Sequence, residues 1–143
     1  CPLPNLWVMR HYKRIERGVG GYIAGRYRCA VEVGIGNNPD AARVIAAAGG
    51  LLLCTDIRPG IRHDGLTVVT DDIFEPDARL YAGADLLYAV RPGVEMVPPL
   101  IALAARINCD LLVYHLGCEI YGDGGDVVDC GPALLHRYHR RRS

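Results

Sequence analysis

Glu32, Gly34, Gly36 and Asp56 are the residues of this sequence whose types and spacing point most directly to chemistry. Glu32-Val33-Gly34-Ile35-Gly36-Asn37-Asn38 closes an apolar run, and a helical pattern follows at once. A strand that breaks into Gly-x-Gly at the start of a helix lets the backbone approach a ligand closely, and the free N–H groups opening the helix favour an anionic or polar group. Asp56 stands twenty positions after Gly36, at the end of a second apolar run. A carboxylate there is placed to accept hydrogen bonds from the two hydroxyls of a ribose, a charge-assisted arrangement that orients the sugar. A dinucleotide site calls for a third glycine in Gly-x-Gly-x-x-Gly, and Pro39 occupies that position. An S-adenosylmethionine site has no pyrophosphate to cradle, and suits these residues better.

The elements that must position this corner follow from periodicity. Residues 5–17 read as a helix with Asn5 as N-cap; Val8, Tyr12 and Ile15 share its apolar face, and Arg10, Lys13, Arg14 and Arg17 form a basic one. Gly18, Gly20 and Gly21 are expected to interrupt that helix, with a second short turn over 22–27. Strands are predicted at 29–34, 51–56, 66–70, 85–90 and 110–115. A helix starts at Asn38-Pro39-Asp40, with Asn38 as N-cap and Pro39 in the first helical position; its stripe of Ala41, Val44, Ile45 and Ala48 faces the sheet, and Gly49-Gly50 ends it. A short helix is expected at 77–81 and another opening at Pro98-Pro99. Gly131-Pro132 separates two closing segments, 127–130 and 133–138, that read as a hairpin. The unbroken Leu51-Leu52-Leu53 run suggests a strand covered on both faces. The alternation predicts an α/β fold: a doubly wound, mostly parallel, Rossmann-like sheet in three α/β/α layers with a C-terminal hairpin. The expected organisation is one domain over 1–143, with N-terminal helices at 5–27, sheet and crossover helices at 28–138 and a frayed basic tail at 139–143. Loops 34–38, 56–64, 71–76, 91–96 and 115–126 collect at the carboxyl ends of the strands, where such sheets bind ligands.

Composition narrows the classes. Half of the 143 residues are hydrophobic, enough for a core, and Lys+Arg and Asp+Glu balance at 16 each, so no global field steers the chain to nucleic acid or anionic membrane. No apolar run is long enough to span a bilayer, and Cys1-Pro2-Leu3-Pro4 has neither the basic region nor the apolar core of a secretory peptide. None of the six cysteines forms a Cys-x-x-Cys pair; reduced, structural thiols in a cytoplasmic protein are the expectation, with Cys118 the one in a loop.

At these residues the sequence resembles the Rossmann-like S-adenosylmethionine-dependent methyltransferases. Glu32-Val33-Gly34-Ile35-Gly36-Asn37-Asn38 is similar to their first motif, with Asn38 in the third glycine position; Thr55-Asp56 is similar to the ribose-binding acid; Asp72 with Ile73 is similar to the pair that flanks the adenine. The short chain with Glu-Val-Gly-x-Gly-Asn-Asn-Pro, Asp-Asp-Ile-Phe-Glu-Pro and Tyr-Ala-Val-Arg-Pro-Gly-x-Glu resembles, over residues 5–138, a small, uncharacterised and mainly archaeal family of that fold. The resemblance implies S-adenosylmethionine as cofactor, with Glu32, Gly34, Gly36, Asn38, Asp56, Asp72 and Ile73 as its site.

The acceptor is not written in the sequence. After the fourth strand, where enzymes that methylate amino groups of bases or glutamine carry Asn/Asp-Pro-Pro-Tyr/Phe, this chain reads Val90-Arg91-Pro92-Gly93. Arg91 either binds an anionic acceptor or pairs with Glu95 across a turn. His115 and Glu119 are candidate proton acceptors, and His115 is equally a candidate structural histidine. Glu32 holds the cofactor loop or bonds to local backbone, and Asp72 contacts adenine or caps a turn. A His115, Cys118, Glu119 metal site lacks the usual ligand spacing, and no metal is expected. The rival to a methyltransferase-like protein is a non-catalytic Rossmann module that binds RNA or a protein partner through its basic first helix and the Arg140–Arg142 tail.

Overall fold

The computed structural model describes residues 6–116 and 119–142, and the side chains from 13 onward. Seven strands form one sheet: β1 (Ala30–Val33), β2 (Leu51–Asp56), β3 (Val68–Thr70), β4 (Leu86–Val90), β5 (Asp110–Tyr114), β6 (Asp126–Asp129) and β7 (Leu134–His139). Their order is β3-β2-β1-β4-β5-β7-β6. The first five run parallel, and β7 pairs antiparallel with β5 and with β6. From β1 the chain winds outward to β2 and β3, then crosses back to lay β4 on the other side of β1. That reversal opens a crevice above the carboxyl ends of β1 and β4.

Side-chain alternation along the central strands assigns each helix to a face. Ala30, Leu86, Tyr88, Leu112 and Leu135 pack beneath α1 (Leu6–Ala24) and α2 (Asp40–Ala47), meeting Ile15, Val19, Ile23 and Ile45. Val31, Val33, Leu87, Ala89, Leu111 and Val113 point the other way, onto α3 (Val97–Ile107) and the 3₁₀ turn Ala78–Tyr81. β2 is less covered than its sequence suggests: Leu52 is 38% exposed because only the short β3 lies beyond it. Cys54 and Cys109 are fully buried, and burial pushes both thiols up to about 12, consistent with small apolar fillers. Among the described residues no helix is long and apolar enough to cross a membrane.

The amino ends of the strands are fastened by acids. Asp85 accepts from the backbone N–H groups of Arg28 and Cys29 (2.8 and 3.0 Å), and Asp110 accepts from Tyr27 Oη (2.6 Å) and the Arg141 N–H (2.7 Å). Asn108 exchanges two further bonds with the Arg142 backbone. The tail is therefore pinned through its main chain as far as Arg142, in place of the expected fraying, while Arg140, Arg141 and Arg142 stay exposed.

Several local expectations change. The expected N-cap Asn5 lies outside the described residues. The glycines at 18, 20 and 21 do not interrupt α1, which runs through to Ala24. Gly18 and Gly20 serve close approach: a Cβ on Gly20 would lie 2.8 Å from the Ala41 carbonyl oxygen in α2, and one on Gly18 would overlap the ring of Pro132. The helical propensity lost at these positions is offset by helix–helix and helix–hairpin packing that larger residues would block. Asn38 does not cap α2. Pro39 takes the N-cap position without a side-chain bond, the helix begins at Asp40, and Ala42 rather than Ala48 is buried.

This contrast sets a test. Gly20→Ala is expected to lower stability by about 1–3 kcal/mol through overpacking against α2. Gly21→Ala, exposed and with no atom within 4 Å of its Cβ, is expected to raise it by about 0.5–1 kcal/mol through helix propensity. Urea unfolding midpoints moving the same way in both variants would contradict the packing role.

Candidate functional site

The turn after β1 is laid over the end of β2. The N–H groups of Gly34 and Ile35 both donate to the Thr55 carbonyl (2.8 and 3.1 Å). The Gly36 N–H donates to Asp56 Oδ2 at 2.8 Å, and Asp56 Oδ1 accepts from the Arg58 N–H at 2.9 Å and Arg58 Nε at 3.4 Å. His63 Nε2 lies 2.7 Å from the Gly36 carbonyl oxygen; a carbonyl only accepts, so the imidazole donates there. Gly34 and Gly36 have φ of 76° and 54°, a left-handed backbone that L side chains rarely adopt. Asp56 is 6% exposed. Its carboxylate thus clamps the turn and still lines the crevice.

Two recesses open on either side of this turn. One, of about 300 Å³, has Val33 and Gly34 at its base and Asp56, Asp72, Ile73 and Met96 around it. Ile57 and Phe74 also line it, although they are 60% and 56% exposed. Ile73 is buried and belongs to the core beneath. Asp72 Oδ1 accepts from the Phe74 N–H at 2.9 Å, so this acid caps its turn and stands at the recess as well. Its neighbour Asp71 is occupied by Tyr81 Oη (2.6 Å) and the Asp77 N–H (3.1 Å). The other recess, of about 260 Å³, is lined by Glu32, Gly36, Asn37, Asn38 and Arg91. Gly34, Val90 and Arg91 border both. Each of the seven positions expected from the sequence thus lines one or the other of two adjoining recesses.

Beneath it lies a buried charged cluster. Glu32 is 1% exposed and accepts from Tyr88 Oη at 2.8 Å. Burial pushes its carboxyl up to about 8; Glu16 raises it further, while the Tyr88 bond and Arg91 oppose the rise. Glu16, 3% exposed, forms an ion pair with Arg91, and its own carboxyl is raised, first by burial. Of the two roles weighed for Arg91, the turn pairing with Glu95 gives way to an ion pair with Glu16, which α1 brings over the end of β4. Arg91 is held at φ 53°, a conformation that costs of order 1 kcal/mol for a side chain of this kind. Its N–H donates to the Tyr114 carbonyl of the next strand (2.8 Å).

His115 and Glu119 do not join the crevice. His115 is 5% exposed, its Nε2 is 2.7 Å from Tyr138 Oη, and it lines a separate cleft of about 400 Å³ beyond β5. Burial and the neighbouring His136 lower its pKa, against a smaller opposing effect from Glu119. Glu119 is exposed. Cys118 lies outside the described residues; among those described, no group of three His, Cys, Asp or Glu is placed to hold a metal ion.

Sequence reasoning missed Glu16, Ile57, His63 and Phe74. Glu16 carried a signal, an acid three residues before the apolar Val19 and four after Tyr12 in the sequence. Ile57 and Phe74 are apolar residues just after strand-end acids, in loops that nothing else requires to be apolar. His63 carried none, because its contact depends on how the loop after β2 folds back.

The Glu32 environment has a measurable consequence. Its folded pKa exceeds the ordinary value of 4.5, so its contribution to stability is fully present below pH 4.5 and is lost as pH rises to about 8. Glu32→Gln keeps an acceptor for Tyr88 and removes the ionisation. The variant is expected to be more stable than the parent at pH 8, by up to a few kcal/mol, with a flatter stability profile between pH 5 and 8. Unfolding midpoints with identical pH slopes for parent and variant would refute this.

A family model described as an uncharacterised protein family, UPF0146, matches residues 21–123. A UPF0146 protein of Archaeoglobus fulgidus is 32% identical over 106 residues, covering 73% of this chain and 78% of the relative. One from Pyrococcus horikoshii is 33% identical over 112 residues, covering 76% and 86%. Among solved structures, the sugar N-methyltransferase KedS8 from Streptoalloteichus aligns with a TM-score of 0.53 at 15% identity, over 90% of this chain and 62% of its own. The S-adenosylmethionine-dependent methyltransferase SibL aligns at 0.50 and 17% identity, over 75% of this chain and 37% of its own. This chain thus spans less than two thirds of the length of either enzyme. At such identities the likeness establishes a methyltransferase-like fold and nothing finer. By the match over residues 21–123 and the archaeal relatives, the chain belongs to the uncharacterised protein family UPF0146.

Proposed function

We propose that this protein binds S-adenosylmethionine in the crevice above β1 and β4 and acts as a methyltransferase-like protein. One observation carries the reading: the nearly buried Asp56 carboxylate clamps a turn of two left-handed glycines at the point where the strand order reverses. Each Asp56 oxygen has two acceptor sites, and Oδ2 receives a single bond from within the chain, which leaves capacity for ribose hydroxyls. Ile57, Ile73 and Phe74 supply apolar surface for a purine, with Asp72 at its edge. Glu32, Asn38 and the backbone of Gly34 and Gly36 border the recess suited to the amino-acid end. A Cβ at Gly34 would project to 3.7 Å from Met96 Cε, into space the recess uses. The cofactor supplies an electrophilic methyl group on a sulfonium; the protein's task in such chemistry is chiefly positioning. Unpaired, fully buried Cys54 and Cys109 accord with a cytoplasmic setting.

Thermal unfolding with added S-adenosylmethionine tests this. At a concentration about 100-fold above Kd, one site adds about 2.7 kcal/mol and raises Tm by several degrees. Phe74→Ala, at an exposed position, is expected to weaken binding by about 1–3 kcal/mol through lost stacking. Asp56→Asn is expected to abolish the Tm increment. No increment at millimolar cofactor in the parent would eliminate the proposal.

A second reading rests on the tail. Arg140, Arg141 and Arg142 are exposed, and Asp110 and Asn108 hold the backbone of the last two, which presents a cluster of cations at a fixed place for RNA. Binding to a single-stranded RNA that weakens steeply with salt, and disappears in a triple Arg→Gln variant, would support it. Binding insensitive to either change would remove it.

A further inference from the structure

Beyond β5 the carboxyl edge of the sheet holds the second cleft, of about 400 Å³, lined by Tyr114, His115, Asp129, Ala133, Leu134 and His136 among others. It adjoins the cofactor crevice. Arg91, at the rim of both cofactor recesses, donates its N–H to the carbonyl of Tyr114, at the rim of this cleft. Adjacent strands lie about 4.8 Å apart, so the cleft is one to two strand widths from the end of β4.

The two histidines differ in what they present. His136 Nδ1 lies 2.8 Å from the Gly124 carbonyl oxygen. The carbonyl only accepts, so the proton sits on Nδ1, and Nε2 of the neutral ring carries a lone pair. Gly124 makes the contact possible: its φ is 84°, and a Cβ there would lie 3.2 Å from His136 Nδ1. His115 is the complement. Tyr138 Oη accepts from the Tyr121 N–H at 3.0 Å and lies 2.7 Å from His115 Nε2; with its own proton donated to that nitrogen, the His115 proton sits on Nδ1, a buried atom with no hydrogen-bond partner among the described residues, which is costly to leave unmet. The rings stand edge to face with centroids 5.2 Å apart. Burial and His136 both disfavour protonation of His115, consistent with the neutral tautomer.

We propose that this cleft is the acceptor site, that it takes a small neutral molecule bearing a hydroxyl or amine, and that His136 Nε2 is the base that removes its proton while His115 Nδ1–H holds a second polar atom of the ligand. The binding claim stands on the cleft alone; the acceptor role rests on the cofactor reading above. In the step, the O–H or N–H proton moves to His136 Nε2 and the electron pair stays on oxygen or nitrogen to form the new bond to the methyl carbon. The bond broken is the carbon–sulfur bond of the methyl donor, whose electron pair leaves with sulfur.

Phenol and aniline are the probes, one for each acceptor class. With the full chain labelled with ¹⁵N-histidine, the free protein is expected to show Nδ1–H tautomers at both His115 and His136. Millimolar phenol or aniline is expected to shift these two rings saturably, and not His63 or His139, which lie outside the cleft. Leu134→Trp, at a position 53% exposed, fills the cleft without disturbing the core and is expected to abolish the shifts while preserving the cofactor-induced Tm increment. With methyl-labelled cofactor, His136→Gln is expected to cut transfer to the probes by about 10²- to 10⁴-fold, again with the Tm increment unchanged. An Nε2–H tautomer at His136, or no selective shift with either probe, overturns the site. Selective shifts without labelled product in the parent overturn the base role. Selective shifts that vanish in Leu134→Trp, in a protein whose Tm ignores the cofactor, sustain the ligand site and overturn its role as acceptor site.

Discussion

The candidate crevice depends on how the turn after β1 is tied to the end of β2. Thr55 receives two N–H groups from that turn through its carbonyl, and Asp56 receives a third through its carboxylate. These bonds turn a flexible Gly-x-Gly segment into a fixed rim, and His63 braces it from outside. A charged acceptor makes the strongest of such bonds, and Asp56 is nearly sealed from water, so little competes with the clamp. The cost is that the same carboxylate must serve both backbone and any ligand.

The second constraint is the burial of two carboxyl side chains, Glu16 and Glu32, beside the partly buried Arg91 at the crevice. An isolated buried carboxylate is expensive, and here two share one guanidinium. Glu16 takes Arg91 as its partner, which leaves Glu32 to rely on the Tyr88 hydroxyl and on an upward shift of its own pKa. Arg91 reaches its place only by adopting a left-handed backbone. Strain at a partly buried, charged position beside a cleft is typical of functional sites. It also separates this protein chemically from enzymes that place a carbonyl pair at the end of the fourth strand.

Much of this was legible in the sequence. Strand and helix alternation, the Gly-x-Gly corner and the spacing to Asp56 predicted the sheet and its ligand edge, because a parallel sheet with right-handed crossovers leaves few alternatives. What misled was local grammar. Gly18, Gly20 and Gly21 read as a helix break by propensity, yet α1 continues, with Gly18 and Gly20 placed where the hairpin and α2 approach it. Asn38-Pro39 read as a cap and first turn, yet Asn38 lines the crevice and Pro39 takes the N-cap position.

Sequence by itself determined the fold class, the order of elements and which end of the sheet holds the candidate crevice, since hydrophobic periodicity and turn chemistry are properties of neighbouring residues. Only the tertiary structure decided which side chains share an environment. Glu16 and Arg91 are 75 positions apart and meet as an ion pair; His115 and Tyr138 are 23 apart and meet across β5 and β7. Partner choice among buried charges and the tautomers of buried histidines depend on desolvation and on contacts between distant strands, and no short stretch of sequence contains that information.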